Sequence, residues 1–188
     1  RDFADSYLGA GGRPVFAVDP TFCPKTAEEY FSHRDPRLGL TIRADKYYIA
    51  GEDVAGAAYS RSGFSLCKYM DRSKEGTTDL IYTGNAKNTT DCPQYRLGQV
   101  LVDYAEICYE LGALNQGVLD RSINVLRARK CVGMPALQII GDQPAVNGQV
   151  YDDPKRDPDV PAMLWEIRRE RRVELAFEGS RLDDLKRW

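Results

Sequence analysis

The stretch LWEIRRERRVELAFEGSRLDDLKRW, from Leu164 to Trp188, restricts the fold more than any other part of the chain. At about 100° per residue, a helix places its glutamates in a single row at i, i+4 spacing, comprising Glu166, Glu170, Glu174 and Glu178. Most of the opposite half carries arginines, namely Arg168, Arg169, Arg171 and Arg172. The apolar residues between them point in nearly every direction, and a helix that is apolar all round is normally enclosed by protein. We therefore predict an interior helix that ends at Gly179.

The charges of this helix need partners from other parts of the chain. Like charges at i, i+4 spacing destabilise a helix by about 0.2–0.5 kcal/mol per pair, so the glutamate row does not stabilise itself. The available partners are Arg96, Arg127 and Arg129. We predict a structural ion-pair set on this helix, comprising Glu170, Arg171, Glu174 and Glu178. The alternative, a free helix with a solvated run of charges, is disfavoured by the apolar residues on all sides.

Two further helices are predicted upstream. Between Gln94 and Gly112, apolar residues recur at i, i+3, i+4 and i+7, as in an amphipathic helix. We expect its buried stripe to comprise Leu97, Val100, Leu101, Tyr104, Ala105, Cys108 and Leu111. Asn115 is a suitable N-cap for a second helix, roughly Gln116 to Lys130. One face of that helix presents Leu119, Ile123 and Leu126. The pair is an αα-hairpin of the kind found in tetratricopeptide-like arrays, which must pack on something else to bury its faces.

The first half of the chain, residues 1 to about 93, is rich in Gly, Tyr, Asp, Thr and Ser and has few long periodic runs. Short β-like runs occur at Pro14–Val18 and Lys46–Ala50, and Tyr59–Met70 is predicted to be a strand or an extended loop. A short helix is expected at Ala27–Phe31, followed by a turn at Asp35-Pro36.

Between Val132 and Pro161 we predict a long irregular segment, because it holds several prolines and glycines and the run DDPKRDPD. Its acidic residues are Asp152, Asp153, Asp157 and Asp159. They invite a calcium site, but the prolines break the spacing of an EF-hand loop. We expect a solvated acidic loop that leads into a helix N-terminus, where carboxylates are favourable.

The composition excludes several classes of protein. A formal net charge of -2 excludes a strongly basic nucleic-acid binder. No apolar run approaches the roughly 20 residues needed to span a bilayer. The five cysteines form no C-x-x-C pair and the chain has one histidine, His33, so no zinc pattern is present. We expect no metal and no cofactor, and we expect Cys108 to be a small buried hydrophobic residue.

The terminal motif IRRERRVELAFEGSRLDDLKRW resembles the signature near the C-terminus of the SusD/RagB family. These are outer-membrane lipoproteins of Bacteroidetes that capture nutrients, mostly glycans, at the cell surface. Four other stretches are similar to segments of that family in the same order: RDPRLGLTI (Arg34 to Ile42), GFSLCKYM (Gly63 to Met70), YRLGQVLVDYAEICYELG (Tyr95 to Gly112) and INVLRARKCVGMP (Ile123 to Pro135).

The resemblance implies a mainly α, SusD-like fold, in which tetratricopeptide-like helical hairpins pack with an irregular, loop-rich region that contains short strands. Residues 1–93 would be the loop-rich part and residues 94–188 the helical part of the same SusD-like domain. Since family members run to several hundred residues, the chain would be a C-terminal portion of one larger domain.

The resemblance also implies a function for the whole protein: non-catalytic, cell-surface binding of oligosaccharide or polysaccharide nutrients. The expected partners are the glycan, a SusC-like TonB-dependent outer-membrane transporter that receives it, and the remainder of the SusD-like chain, with no nucleic acid. The expected location is the cell-surface side of the outer membrane, with a lipid anchor in an N-terminal part that this chain lacks.

Sugar binding needs aromatic faces next to polar groups, and the first half of the chain is well supplied with both. The candidate ligand-binding residues are Tyr47, Tyr48, Tyr59, Phe64 and Tyr82. Each of them has packing beneath the helices as an alternative role.

A helical-repeat module that binds another protein stays open as an alternative function. A glycosidase would need two positioned carboxylates in a cleft, and the obvious carboxylates lie in helices that also carry arginines, so we expect no enzyme.

Overall fold

The computed structural model describes residues 2–43, 47–49, 52–54, 64–68, 91 and 93–188. This part of the chain is mainly helical and has three small antiparallel sheets. Its helices are α1 (Asp2–Asp5), α2 (Val15–Val18), α3 (Ala27–Phe31), α4 (Arg37–Thr41), α5 (Leu97–Glu110), α6 (Gln116–Asp120), α7 (Ile123–Arg127), α8 (Ala162–Glu174) and α9 (Arg181–Arg187). Its strands are β1 (Ile42–Arg43), β2 (Tyr47–Ile49), β3 (Glu52–Val54), β4 (Ser65–Leu66), β5 (Gln138–Ile140), β6 (Gln143–Val146) and β7 (Gln149–Val150). None of the described helices is long and apolar enough to cross a bilayer.

Helix α8 is the interior helix predicted from its sequence. It packs against α5 and β6, and every one of its 13 residues is buried or half-buried. Ile167 is fully buried in a core cluster with residues of α5, α6, α7 and β6, namely Ala105, Leu119, Ile123 and Val146, and with Leu137 just before β5. The helix ends at Glu174, about one turn before Gly179. Lys68 Nζ donates to the carbonyl oxygens of Glu174 and Ala176, both at 2.8 Å, and so satisfies acceptors that helix termini leave open.

The prediction of an irregular segment between Val132 and Pro161 was wrong where strands β5, β6 and β7 form a sheet in that order. Two tight turns build it. Gly141 and Asp142 have φ of 54° and 62°, and Asn147 and Gly148 have φ of 51° and 75°. Two successive positive φ values define the two-residue hairpin turn that matches strand twist, and Asn-Gly is its strongest sequence signal. The acidic end of the segment is not fully solvated either, since Asp153 is buried.

Helix α5 forms where its periodicity predicts, but much of the predicted buried stripe faces outward. Ala105 and Cys108 are buried as expected, whereas four residues of the stripe are exposed: Leu97 by 68%, Val100 by 57%, Tyr104 by 38% and Leu111 by 74%. The face that packs against α8 instead includes Gly98, Val102 and Glu106. The partner helix, with its own charged groups, decides which side of α5 is covered.

Two shorter predictions also needed correction. The helix expected over Gln116–Lys130 is interrupted between α6 and α7 at Ser122, whose buried Oγ donates to the carbonyl oxygen of Val118 at 2.6 Å. The predicted face, Leu119, Ile123 and Leu126, is nevertheless buried. The predicted strand at Pro14–Val18 is the single helical turn α2. The amide of Asp19 donates to Val15 O at 2.8 Å, so this turn satisfies its backbone locally, without a neighbouring strand.

Several of the short elements predicted for the first half are present. Helix α3 spans Ala27–Phe31 as predicted, and the Thr26 hydroxyl caps it by accepting from the amide of Glu29 at 3.1 Å. After Asp35-Pro36 the chain enters α4, which was not predicted. Strand β2 falls within Lys46–Ala50 and pairs with β3, and β4 lies within Tyr59–Met70 and pairs with β1.

Candidate functional site

Segments from both halves of the chain converge on the glutamates of α8 and the turn after it. We call this group the ion-pair network. Its acids are Glu170, Glu174 and Glu178, and its cations are Arg37, Lys68, Arg96, Arg127 and Arg129. Each stretch that carries the family resemblance contributes at least one member, so motifs that lie far apart in sequence meet at one place in the structure.

Glu170 sits deepest in the ion-pair network. Arg37 Nη1 donates to Glu170 Oε2 at 2.9 Å, and Arg127 Nε donates to Glu170 Oε1 at 2.7 Å. All three side chains are buried. Asp35 fixes Arg37 from the other side by accepting from its Nη2 at 2.7 Å. The Asp-Pro-Arg segment therefore supplies a buried bridge between the first half of the chain and α8.

Glu174 and Glu178 share their cations. Arg96 Nη1 and Arg129 Nη2 each donate to Glu174 at 2.6 Å. Arg96 Nε donates to Glu178 at 2.7 Å, and Lys68 Nζ donates to the same carboxylate at 2.5 Å. Each glutamate of the network thus has at least two cationic partners, including the three arginines that the sequence offered.

The charges of the network control the pKa values of its carboxyl groups. Burial by itself raises the pKa of Glu170, but the charges and hydrogen bonds of Arg127 and Arg37 outweigh it and lower the pKa to about 2. Burial also favours a raised pKa for Glu174 and Glu178, and hydrogen bonds again outweigh it. The pKa of Glu174 is lowered by hydrogen bonds from Arg129 and Arg96, and the pKa of Glu178 by hydrogen bonds from Arg96 and Lys68. These carboxylates stay ionised at neutral pH.

Glu166 and Arg171 are among the charged residues of α8 that lie outside the network. Glu166, one turn before Glu170, pairs with Arg169 at 3.2 Å, and its Oε2 has no hydrogen-bond partner among the described residues. Burial raises the pKa of Glu166 in spite of Arg169. Arg171, expected to share in the glutamate pairing, instead pairs with Asp184 of α9 at 2.8 Å and with Asp103 of α5.

The candidate ligand-binding aromatics are not gathered into one described site. The ring of Phe64 lies 5.6 Å from that of Tyr30 and 6.0 Å from that of Phe31, within a half-buried aromatic cluster beside Val173. The backbones of Tyr47 and Tyr48 form part of β2. Tyr59 and Tyr82 lie outside the described residues. Phe64 thus makes the packing contacts that were its alternative role, and ligand binding remains a prediction for all five residues.

Two surface cavities contain aromatic side chains beside polar groups. The first, which we call the tryptophan pocket, has a volume of about 340 Å³ and is lined by Trp165 and Trp188 together with arginines and aspartates. The second, of about 610 Å³, is lined by Tyr109, Glu110, Asp142 and Gln143 among others. Neither cavity was predicted from the sequence. Two features of the sequence could have indicated the tryptophan pocket. Trp165 and Arg168 have the i, i+3 spacing that places them on one side of a helix, and Trp188 directly follows the next helix, which begins at Arg181.

In the described part of the chain, no cluster of three His, Cys, Asp or Glu side chains is placed to hold a metal ion. Two aspartates of the acidic segment accept hydrogen bonds from other side chains. Asp152 accepts from Arg156 Nε at 2.8 Å, and Asp153 accepts from Trp165 Nε1 at 3.0 Å and from Arg169.

Comparison with known proteins decides the family. A family model described as the SusD family matches residues 1–188. The chain belongs to the SusD family. All five stretches that were identified from the sequence as similar to this family contribute residues to the ion-pair network.

Solved structures of SusD-like proteins have the same fold. A SusD-like carbohydrate-binding protein from Bacteroides fragilis matches with 30% identity and a TM-score of 0.66, over 100% of this chain and 34% of that one. A second SusD-like protein from the same organism matches with 22% identity and a TM-score of 0.61, over 100% of this chain and 35% of that one. The chain therefore spans about a third of the length of these structures. A search of curated proteins gives no match.

Proposed function

We propose that the protein containing this SusD-family chain binds oligosaccharide or polysaccharide nutrients at the cell surface without cleaving them. The observation that carries the proposal is the family match over residues 1–188, joined to the 30% identity with a SusD-like protein described as carbohydrate-binding. We further propose delivery of the bound glycan to a SusC-like TonB-dependent transporter, and a lipid-anchored location on the outer membrane.

Within that protein, we propose that residues 1–93 and 94–188 are parts of one domain. Ion pairs that cross this boundary support it: Arg37 to Glu170 at 2.9 Å and Lys68 to Glu178 at 2.5 Å. The same pairs support a non-catalytic role. Carboxylates held by two or more cations, with lowered pKa values, are poor proton donors for glycoside cleavage at neutral pH.

Affinity electrophoresis in gels cast with different polysaccharides tests the binding proposal. We expect retardation by at least one polysaccharide and no release of reducing sugar when the same polysaccharide is incubated with the protein. Release of reducing sugar would overturn the non-catalytic part, and free migration in every gel would overturn glycan binding. Co-purification of a TonB-dependent transporter from outer membranes, and metabolic labelling with a lipid, test the partner and the location separately.

One observation favours the second candidate function, a helical module that binds another protein. The exposed face of α5 carries an apolar row at helical spacing, comprising Leu97, Val100, Tyr104, Ile107 and Leu111. A Val100→Ser/Ile107→Ser variant separates the two functions. Loss of transporter co-purification with unchanged glycan retardation would assign this row to protein contact.

A further inference from the structure

The tryptophan pocket has unequal numbers of basic and acidic side chains. Five basic residues and four acidic ones line it. The four acids are all engaged. Asp153 accepts from Arg169, Asp5 pairs with Lys155 at 3.3 Å, and Asp2 pairs with Arg172 at 2.7 Å. Asp157 accepts from the amide of Asp159 at 3.0 Å.

Two arginines of the pocket are left without an acid. The side chains of Arg168 and Arg181 form no ion pair and no hydrogen bond with any described residue, although Arg168 Nε and Arg181 Nη1 are shielded from solvent. Buried donors without acceptors are uncommon in native proteins and cost free energy. Burial, together with the charge of Arg172, lowers the pKa of Arg181, and the charges of Asp184 and Asp2 oppose this shift without forming an ion pair with it.

Stacking does not satisfy these two arginines. The guanidinium carbons of Arg168 and Arg181 lie 4.7 Å and 5.2 Å from the ring centroid of Trp188. An aromatic ring is a much weaker acceptor than a carboxylate, so this contact does not replace an ion pair for the guanidinium N–H donors. The indole therefore positions both arginines and leaves their donors available to a further partner.

We propose that the tryptophan pocket binds the carboxylate of an acidic sugar residue, such as a uronic acid, through Arg168 and Arg181. The inference rests on the proposed glycan-binding function and adds the class of sugar. A carboxylate matches the forked donors of guanidinium and restores the charge balance of the pocket. Trp165, held by Asp153, and Trp188 supply aromatic surface for the apolar side of a sugar ring. A cavity of about 340 Å³ lies within the range of small-ligand sites.

Isothermal titration with an oligogalacturonate, and with a neutral galacto-oligosaccharide of equal length, tests the proposal. We expect the acidic ligand to bind at least tenfold more tightly, and Arg168→Gln or Arg181→Gln to weaken its binding about tenfold each, because each substitution removes a charge-assisted contact. Binding should also weaken as salt is raised. Arg121→Gln, at an exposed arginine outside the pocket, is the matched control and should leave the affinity unchanged.

Several results would overturn the proposal. These are equal affinity for the neutral ligand, unchanged binding in both arginine variants, or free sulfate binding as tightly as the oligogalacturonate. Retention in neutral polysaccharide gels with no heat from oligogalacturonate would remove this inference and leave the proposed function intact. Absence of binding to every carbohydrate tested would remove both.

A stability measurement separates binding from a structural role. Since Arg168 and Arg181 have no carboxylate partners in the described residues, their glutamine variants should unfold at the same temperature as the parent chain or a higher one. Arg169→Gln, which loses its bonds to Asp153 and Glu166, should unfold at a clearly lower temperature. A large fall in melting temperature for Arg168→Gln or Arg181→Gln would assign these arginines to the scaffold and contradict the proposal.

Discussion

Helix α8 takes part in two groups of charged residues that are paired in different ways. Toward its C-terminus, each glutamate of the ion-pair network meets at least two cations, and Glu170 is enclosed with both of its partners. In the tryptophan pocket, Arg168 and Arg181 form no ion pair with any described residue. The first arrangement is complete without a ligand, so it acts as scaffold. The second lacks one negative charge, which is why we assign the ligand there.

A closer comparison within the helix involves two glutamates one turn apart. Glu166 and Glu170 are both about 1% exposed. Glu170 has two buried arginines and a pKa lowered to about 2, whereas Glu166 has one oxygen without a partner and a raised pKa. Equal burial therefore has opposite electrostatic consequences, which depend on how many cations the rest of the fold places nearby.

The largest expected effect comes from breaking the network at its centre. Glu170→Ala leaves the buried guanidinium of Arg127 without its carboxylate and takes one acid from Arg37, so we expect a loss of about 3–5 kcal/mol in the free energy of unfolding. Urea denaturation measures it. Glu28→Ala, at an exposed glutamate, is the control and should change stability by less than about 0.5 kcal/mol. Similar losses in the two variants would contradict the enclosed network.

Acid should remove the same stabilisation gradually. A folded pKa of about 2, against an ordinary value of 4.5, corresponds to about 3 kcal/mol. Because the folded pKa is depressed, this stability is fully present above pH 4.5 and is lost as the pH falls toward 2. Unfolding free energies measured across that window should decline in the parent chain. The share of this decline that is due to Glu170 should be missing in Glu170→Gln. If the unfolding free energies of the two proteins declined equally with falling pH, Glu170 would not be the cause.

An intermediate effect is expected at the contact of α5 with the network. A Cβ at Gly98 would lie 2.7 Å from Glu174 Oε1 and closer still to Arg96 Nη1, and both groups are committed to ion pairs. Gly98→Ala should therefore cost about 1–3 kcal/mol through overpacking. Gly39→Ala in α4, where a Cβ would meet nothing within 4 Å, should show the ordinary helix preference for alanine and gain up to about 1 kcal/mol. A stabilised Gly98→Ala would mean that Arg96 moves without cost.

These contrasts show how far the sequence alone determines the structure. The interior position of α8 was predictable, because its apolar residues lie on all sides and its like charges require outside partners. The covered side of α5 was not, because periodicity locates the apolar row of Leu97, Val100 and Leu111 while the packing of α8 covers Val102 and Glu106 instead. Tertiary context decides between two acceptable faces.

The candidate site shows the same division. Arg96, Arg127 and Arg129 could be proposed as partners of the glutamates from charge alone. The contributions of Arg37 and Lys68 depend on long-range folding that brings residues from the first half of the chain to α8. The tryptophan pocket was not predictable, because it combines α8, α9, α1 and the acidic segment, and because an arginine without a partner cannot be distinguished in sequence from one that has a partner.

The smallest effect is expected where the two glutamates of α8 differ. Glu166→Gln removes a desolvated charge but keeps the shape of the side chain, and Arg169 retains Asp153, so stability should change by less than about 1 kcal/mol at neutral pH. Since the pKa of Glu166 is raised, its ionised form costs stability at neutral pH, and that cost falls as the pH drops through the folded pKa. As the pH falls through that range, the unfolding free energy of the parent chain should therefore rise relative to that of Glu166→Gln. This change is opposite in sign to the one expected for Glu170. Urea denaturation of Glu166→Gln and Glu170→Gln at matched pH values measures both, and a loss in Glu166→Gln as large as in Glu170→Gln would show that the unpartnered oxygen has a partner in solution.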